Sequence, residues 1–257
     1  AAEGYVAIRS NLRRALVLLV LLGPGPPAMA QTMSPGTPGL AAVRELFALP
    51  DDEIDLGEAK LLIDRTIDPS VDVGAMVAQL DTMAAEIRAA LPVGASSFDT
   101  AQYLRAYLSG LGPWSGQVPF QYDLDDPYGA VLEHKLMHHY LATRKGNCIT
   151  MPLLFLILGQ RLGLDVSAAV APLHVFVKFT DPATGTTYNI EATDGAQAVD
   201  DDFYVERMEI SARALETGVY LQALTTKEAV AMMLTLLCEH YERQEEWERS
   251  KVVAETV

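Results

Sequence analysis

The stretch Arg144-Lys145-Gly146-Asn147-Cys148-Ile149-Thr150-Met151-Pro152 runs into an apolar segment, Leu153 to Leu158, and closes at Arg161-Leu162-Gly163-Leu164. Residues 149–162 are apolar nearly all round, which predicts a helix sunk in a core. A cysteine at the N-terminal end of such a helix meets the positive end of the helix dipole and unpaired backbone N–H groups, which favour its thiolate. Cys148 is therefore a candidate nucleophile. Pro152 has no N–H to give the carbonyl of Cys148. Either the first turn is loose at the cysteine, or the regular helix begins nearer Thr150.

After Gly163 the period changes. Val166 to Thr180 is rich in β-branched and aromatic residues whose side chains alternate between two faces, the pattern of a strand. His174, Phe176 and Lys178 share one of those faces. Asp181-Pro182-Ala183-Thr184-Gly185 is a turn, and Thr187 to Ala192 returns as a second strand. Antiparallel pairing about the centre of that turn brings Glu191 opposite His174, with Asn189 two residues away on the same face. Cys148, His174 and Glu191 then supply nucleophile, base and orienting acid. The backbone N–H of Cys148 offers one oxyanion donor. Trp114, Gln117 and Tyr122, in an upstream aromatic loop, are candidates for the second. Each residue alone has a plainer reading: a structural thiol, a satisfied core histidine, a surface acid. Their order and placement together favour the catalytic one.

Upstream, helical patterning covers residues 40–91, including a face of Met76, Val77, Leu80, Met83, Ala84 and Ile87, and resumes from Ser96 to Leu111. Tyr128 to Ala142 reads as a helix carrying Glu133, His134, His138 and His139. His134 and His138 have the spacing of paired zinc ligands, but Lys135 stands where a zinc protease carries its glutamate. A partly exposed polar face is preferred, with no metal and no other cofactor.

The chain has 257 residues, half of them hydrophobic, and a formal charge of −15. It can bury a core, and its acidity excludes nonspecific binding to nucleic acid, which requires basic surface. Near the N-terminus, Arg9, Arg13 and Arg14 precede the apolar run Ala15 to Leu22, a Gly-Pro break, and Ala28-Met29-Ala30. This is the pattern of an export signal cut after Ala30. The run is too short for a stable membrane span. Cleavage leaves 16 basic against 33 acidic residues and a periplasmic or secreted protein. An oxidising compartment permits a Cys148–Cys238 disulfide, although Cys238 lies in a helical pattern that suits a free thiol.

Gly146-x-Cys148, Arg161-Leu162-Gly163-Leu164, Pro172-x-His174 and Tyr188-Asn189-Ile190-Glu191-Ala192-Thr193 together resemble the transglutaminase-like superfamily of papain-like cysteine enzymes. Asp55-Leu56-Gly57-Glu58-Ala59 and Leu80-Asp81-Thr82-Met83-Ala84 resemble its bacterial SirB-like branch. The resemblance implies an α+β fold: a helical N-terminal region, a nucleophile helix packed on an antiparallel sheet, and a helical C-terminus. It also implies a Cys-His-acid triad acting on amide bonds of a protein or peptide substrate through a thioester, by hydrolysis, deamidation or transfer. The family's usual acid is Asp, where this chain has Glu191, and some branch members lack the nucleophile. A catalytically inactive peptide-binding module is the alternative.

The expected organisation is an export signal over 1–30, a linker over 31–39, a helical region over 40–112, a catalytic core over 113–205 and a helical tail over 206–257. In the tail, Phe203 to Tyr220 and Thr226 to Val257 read as helical. Leu236 to Tyr241 with Trp247, Ser250 and Ala254 resembles one tetratricopeptide repeat. A single repeat cannot bury its own face, which leaves room for a protein partner on the C-terminal helices.

Overall fold

The computed structural model describes residues 38–256; the expected export signal and residues 31–37 of the expected linker lie outside them. The N-terminal region breaks into helices where short polar side chains cap them. These helices are α1 (Pro38–Leu46), α2 (Leu56–Ile67), α3 (Val73–Ala90) and α4 (Ser97–Leu108). Asp55 and Asp72 accept from the third backbone N–H beyond themselves, and Ser96 and Asp99 cap α4 reciprocally. The apolar stripe on α3 buries Leu80, Met83, Ala84 and Ile87, as its periodicity predicts.

The expected helix over Tyr128 to Ala142 is two elements, a 3-10 turn at Leu132–Lys135 and α5 (Met137–Thr143), separated by extended Leu136. Asp126 draws the chain into the first of these. Its carboxylate accepts from the backbone of Ala130 and Val131 and meets Nδ1 of His134 at 3.1 Å. His134 and His138 therefore share no helix face. His134 sits between Asp123 and Asp126 and stacks on His139, while His138 pairs with Asp68 at 3.2 Å.

A short parallel pair, β1 (Gln121–Tyr122) with β2 (Lys145–Gly146), leads to α6 (Thr150–Arg161). Ten consecutive residues of α6, Thr150 to Gly159, are buried. Its far end is clamped by ion pairs. Arg161 makes a two-pronged contact with Asp55 at 3.1 and 2.9 Å and a third bond to Asp81 at 2.9 Å. A Cβ at Gly57 would lie 2.8 Å from that guanidinium. The two N-terminal motifs and the Arg-Leu-Gly-Leu motif thus meet at one joint between α2, α3 and α6.

The sheet is antiparallel, in the order β3 (Asp165–Ala171), β4 (His174–Asp181), β5 (Thr186–Glu191), β6 (Gln197–Val199). The single strand expected over 166–180 is instead a hairpin turning at Pro172-Leu173, with Ala171 paired to His174. Proline cannot donate within a ladder, and Leu173 takes the left-handed φ of 59° that closes the two-residue turn. The β4–β5 register also differs from the expected one. Val177 pairs with Ile190, so continuing the ladder places Glu191 opposite Phe176, diagonal to His174 and still on its face. Ala168, Val177 and Phe179 join α6 in the main core, while Ala169, Ala171 and Phe176 face a second cluster containing Tyr204 and Ile210. The sheet is thus covered on both sides, and the molecule is α+β.

The helix expected over Phe203 to Tyr220 is α7 (Asp201–Arg207) and α8 (Ala212–Glu216), parted at Glu209 with φ 52°. α9 (Thr226–Arg243) and α10 (Trp247–Ala254) follow. Ala229, Met233, Leu237 and Tyr241 form the buried face that the sequence predicts, and they join the main core beside residues of α2.

Candidate active site

Asn147 orders the turn that leads into α6. Its side-chain oxygen accepts from the backbone of Ile149 and Thr150, its carbonyl accepts from Met151, and its own N–H donates to Oγ1 of Thr150. These bonds resemble a reciprocal cap set one turn early: they order the turn over residues 147–149 that leads into α6 at Thr150. Cys148 therefore lies in the turn at the mouth of α6, two residues before Thr150, so the regular helix begins at Thr150 and not at the cysteine. Pro152 falls in the first turn, where no intrahelical partner for its nitrogen is required. A Cβ at Gly146 would meet Cε2 of Tyr140 at 2.5 Å and Oγ1 of Thr150 at 2.8 Å, so only glycine lets β2 approach this closely. Asn147 is 2 % exposed and also donates Nδ2 to the carbonyl of His134 at 3.0 Å. Asn147→Ala is expected to cost about 2–4 kcal/mol, a lost cap together with a stranded buried carbonyl, measured as a shift in urea midpoint. A shift matching less than 1 kcal/mol contradicts this placement.

The Cys148 thiol is partly exposed and donates to the carbonyl of Leu173 at 3.7 Å. The next residue, His174, meets Oε2 of Glu191 through Nε2 at 2.7 Å, and Cys148 and Glu191 both act on the charge of its ring. Nδ1 is then the ring nitrogen left to the thiol. Burial works against protonating this ring, but the Cys148 and Glu191 contacts outweigh it and push His174 up to about 9. Burial likewise opposes charge on Glu191, yet His174 and Thr193 hold its carboxyl below the usual value. The carboxylate is 3 % exposed and fully engaged. Oε1 accepts from the backbone and hydroxyl of Thr193, and Oε2 accepts from Tyr204 at 3.1 Å as well as meeting His174. Tyr204 is itself buried, stacked on Phe176 at 4.1 Å.

The structure thus brings Cys148, His174 and Glu191 together. The upstream residues divide. Trp114 is packed edge-on against Tyr103 and Tyr107, and Gln117 is exposed. Tyr122 lies by the site, its hydroxyl pushed up to about 12 by burial and by the charges of Cys148, Asp126 and Glu191, but that hydroxyl donates to the carbonyl of Pro127 at 2.6 Å. Asn147, Thr193 and Tyr204 escape the sequence reading. Asn147 and Thr150 carried a signal, the spacing of a reciprocal cap; Tyr204 carried none. Cys148 and Cys238 are both free thiols, and among the described residues no group of three His, Cys, Asp or Glu is arranged to hold a metal.

A buried helix opening on cysteine, packed on an antiparallel sheet that presents a histidine held by an acid, defines a papain-like architecture. The model of the transglutaminase-like superfamily matches residues 74–235, from α3 into α9, and the chain belongs to that superfamily, whose members are typically cysteine enzymes. No curated protein and no solved structure matches it.

Proposed function

We propose that this protein is a cysteine enzyme acting on amide bonds of proteins or peptides through Cys148, His174 and Glu191. The observation that carries the reading is His174 with Nε2 held 2.7 Å from Glu191, directly after Leu173, whose carbonyl meets the Cys148 thiol at 3.7 Å. The sulfur attacks the amide carbonyl carbon, the C–N bond breaks, and the leaving amine takes the proton held at Nδ1 of His174. The thioester so formed is resolved by water or by an amine. His174 accepts the proton of that second nucleophile and the sulfur is released. Iodoacetamide is expected to alkylate Cys148 at neutral pH at least about tenfold faster than half-buried Cys238, whose thiol burial pushes up. His174→Ala should remove that preference. Equal, slow labelling of both thiols, unchanged in the variant, would overturn the reading.

A second reading, an inactive binding module, draws on exposed apolar side chains, of which Leu173 adjoins the thiol. Leu124, Tyr128 and Leu173 are 82 %, 67 % and 60 % exposed. Retention of cellular effect by Cys148→Ala would select it. The proposal also includes export, supported by the Arg-rich start, the short apolar run and Ala28-Met29-Ala30; N-terminal sequencing of the mature protein should begin at Gln31. The five-part organisation, the SirB-like affiliation and the tetratricopeptide-like tail belong to the same reading. The last is supported by the spacing of Leu236 to Tyr241, Trp247 and Ser250. On α10, Trp247 and Val252 are exposed, the surface such a tail would offer a protein partner. Alanine at both positions should abolish co-purification of that partner while leaving Cys148 labelling intact.

A further inference from the structure

Beside the Cys148–His174–Glu191 line lies a cavity of about 280 Å³. Its wall includes Met151, three residues past Cys148 in the first turn of α6, and Thr193, which holds Glu191. The floor is apolar, formed among others by Phe120, Met151 and Ala196, with Tyr140 reaching into it. Tyr140 is 1 % exposed, and its ring packs on Phe120 at 5.3 Å. Its hydroxyl has no hydrogen-bond partner, while burial alone raises its ionisation. It is not sealed into the core, where His138 Nδ1 is the sole enclosed side-chain atom without a partner among the described residues. A phenol this deep ordinarily finds a partner, and leaving it unpaired is costly. The cavity is the direction from which a partner can come.

We infer that this cavity is a specificity pocket for a substrate side chain flanking the reactive amide, a side chain with a large apolar body and a hydrogen-bonding tip that meets Tyr140. The volume accepts a tyrosine-sized side chain and lies at the lower edge of the range for small-ligand sites. Asp194 at the wall, in a chain of net charge −15, disfavours an acidic tip. The inference rests on the proposed amide chemistry for the word substrate, but the pocket itself can be tested apart from it.

The experiment is calorimetric titration of the full chain with N-acetyl methylamides of tyrosine, phenylalanine and glycine, run beside iodoacetamide labelling of Cys148. The tyrosine compound is expected to bind about five- to tenfold more tightly than the phenylalanine compound, the difference one hydrogen bond makes, with the glycine compound at least about a hundredfold weaker than tyrosine. Tyr140→Phe should equalise the first two. Bound tyrosine compound should also slow labelling of Cys148. Equal binding of all three, no binding, or an unchanged tyrosine preference in Tyr140→Phe would overturn the pocket. Failure of the enzyme reading shows separately, as slow Cys148 labelling in the absence of any ligand, whatever the calorimetry reports.

Discussion

Glu191→Asp should lower the rate of Cys148 alkylation at pH 7 by about 10- to 100-fold, although it preserves charge and chemistry. The β4–β5 register makes Glu191 the diagonal neighbour of His174, so the extra methylene of glutamate spans the offset. Removing it withdraws the carboxylate by about 1.5 Å, which takes the 2.7 Å contact to Nε2 beyond hydrogen-bonding range. Thr193 and Tyr204 hold the same carboxylate from other sides and oppose its following the ring. Without that contact His174 loses part of what lifts it to about 9. Each unit lost is a factor of ten in the equilibrium constant for moving the thiol proton onto the ring. Titration of the imidazole by NMR should show His174 moving back toward 6.5. The sign for stability follows. The raised ring stabilises the fold fully below pH 6.5, and that contribution fades as pH rises through about 9. The variant should therefore show a weaker alkaline decline in melting temperature. An Asp variant that alkylates at the parent rate, with His174 still titrating near 9, would show that the register does not set the reach.

What the sequence made legible was local order along the chain; what it hid was mostly partnership across it. Cys148, His174 and Glu191 could be placed because each sits at an element boundary with a local signature: a helix entry, a strand of alternating residues, a return strand. The helices of residues 40–111 were readable for the same reason, their caps and stripes being local. The Pro172-Leu173 hairpin was missed because alternation continues through it. The proline was the cue, and a leucine at positive φ gave none. A register shifted by two residues keeps every side chain on its expected face because two is the strand period, which is why Glu191 still meets His174. Tyr204 and Thr193 become relevant only once α7 folds onto the sheet and the chain leaves β5. The Asp55, Asp81 and Arg161 motifs looked unrelated at separations of 80 and 106 residues, and tertiary structure makes them one joint.

Asp64→Ala should destabilise the protein by about 3–5 kcal/mol, the largest loss expected from any single truncation outside the apolar core. Asp64 is fully buried, and burial raises its carboxyl against the opposing pull of Lys60. Lys60, 1 % exposed, meets Asp64 directly and donates to the carbonyl of Lys135 at 3.0 Å. Deleting the acid leaves a buried ammonium with only a carbonyl for company, the circumstance that makes broken internal ion pairs expensive. A second loss is smaller. Asp64 Oδ2 accepts from the backbone of Met137 at 2.7 Å, capping α5 from a neighbouring helix where Leu136 has no side chain to do so, a role worth about 1 kcal/mol. The double variant Lys60→Met with Asp64→Leu separates the two, since replacing both charges with apolar groups of similar size removes the first cost and keeps the second. Urea unfolding should then recover all but about 1–2 kcal/mol of the parent stability. If the double variant is no better than Asp64→Ala, the cap outweighs the charge. In that event the segment from α5 through Arg144 to Cys148 depends for its start on a single carboxylate oxygen, and Cys148 alkylation in the double variant should fall with it.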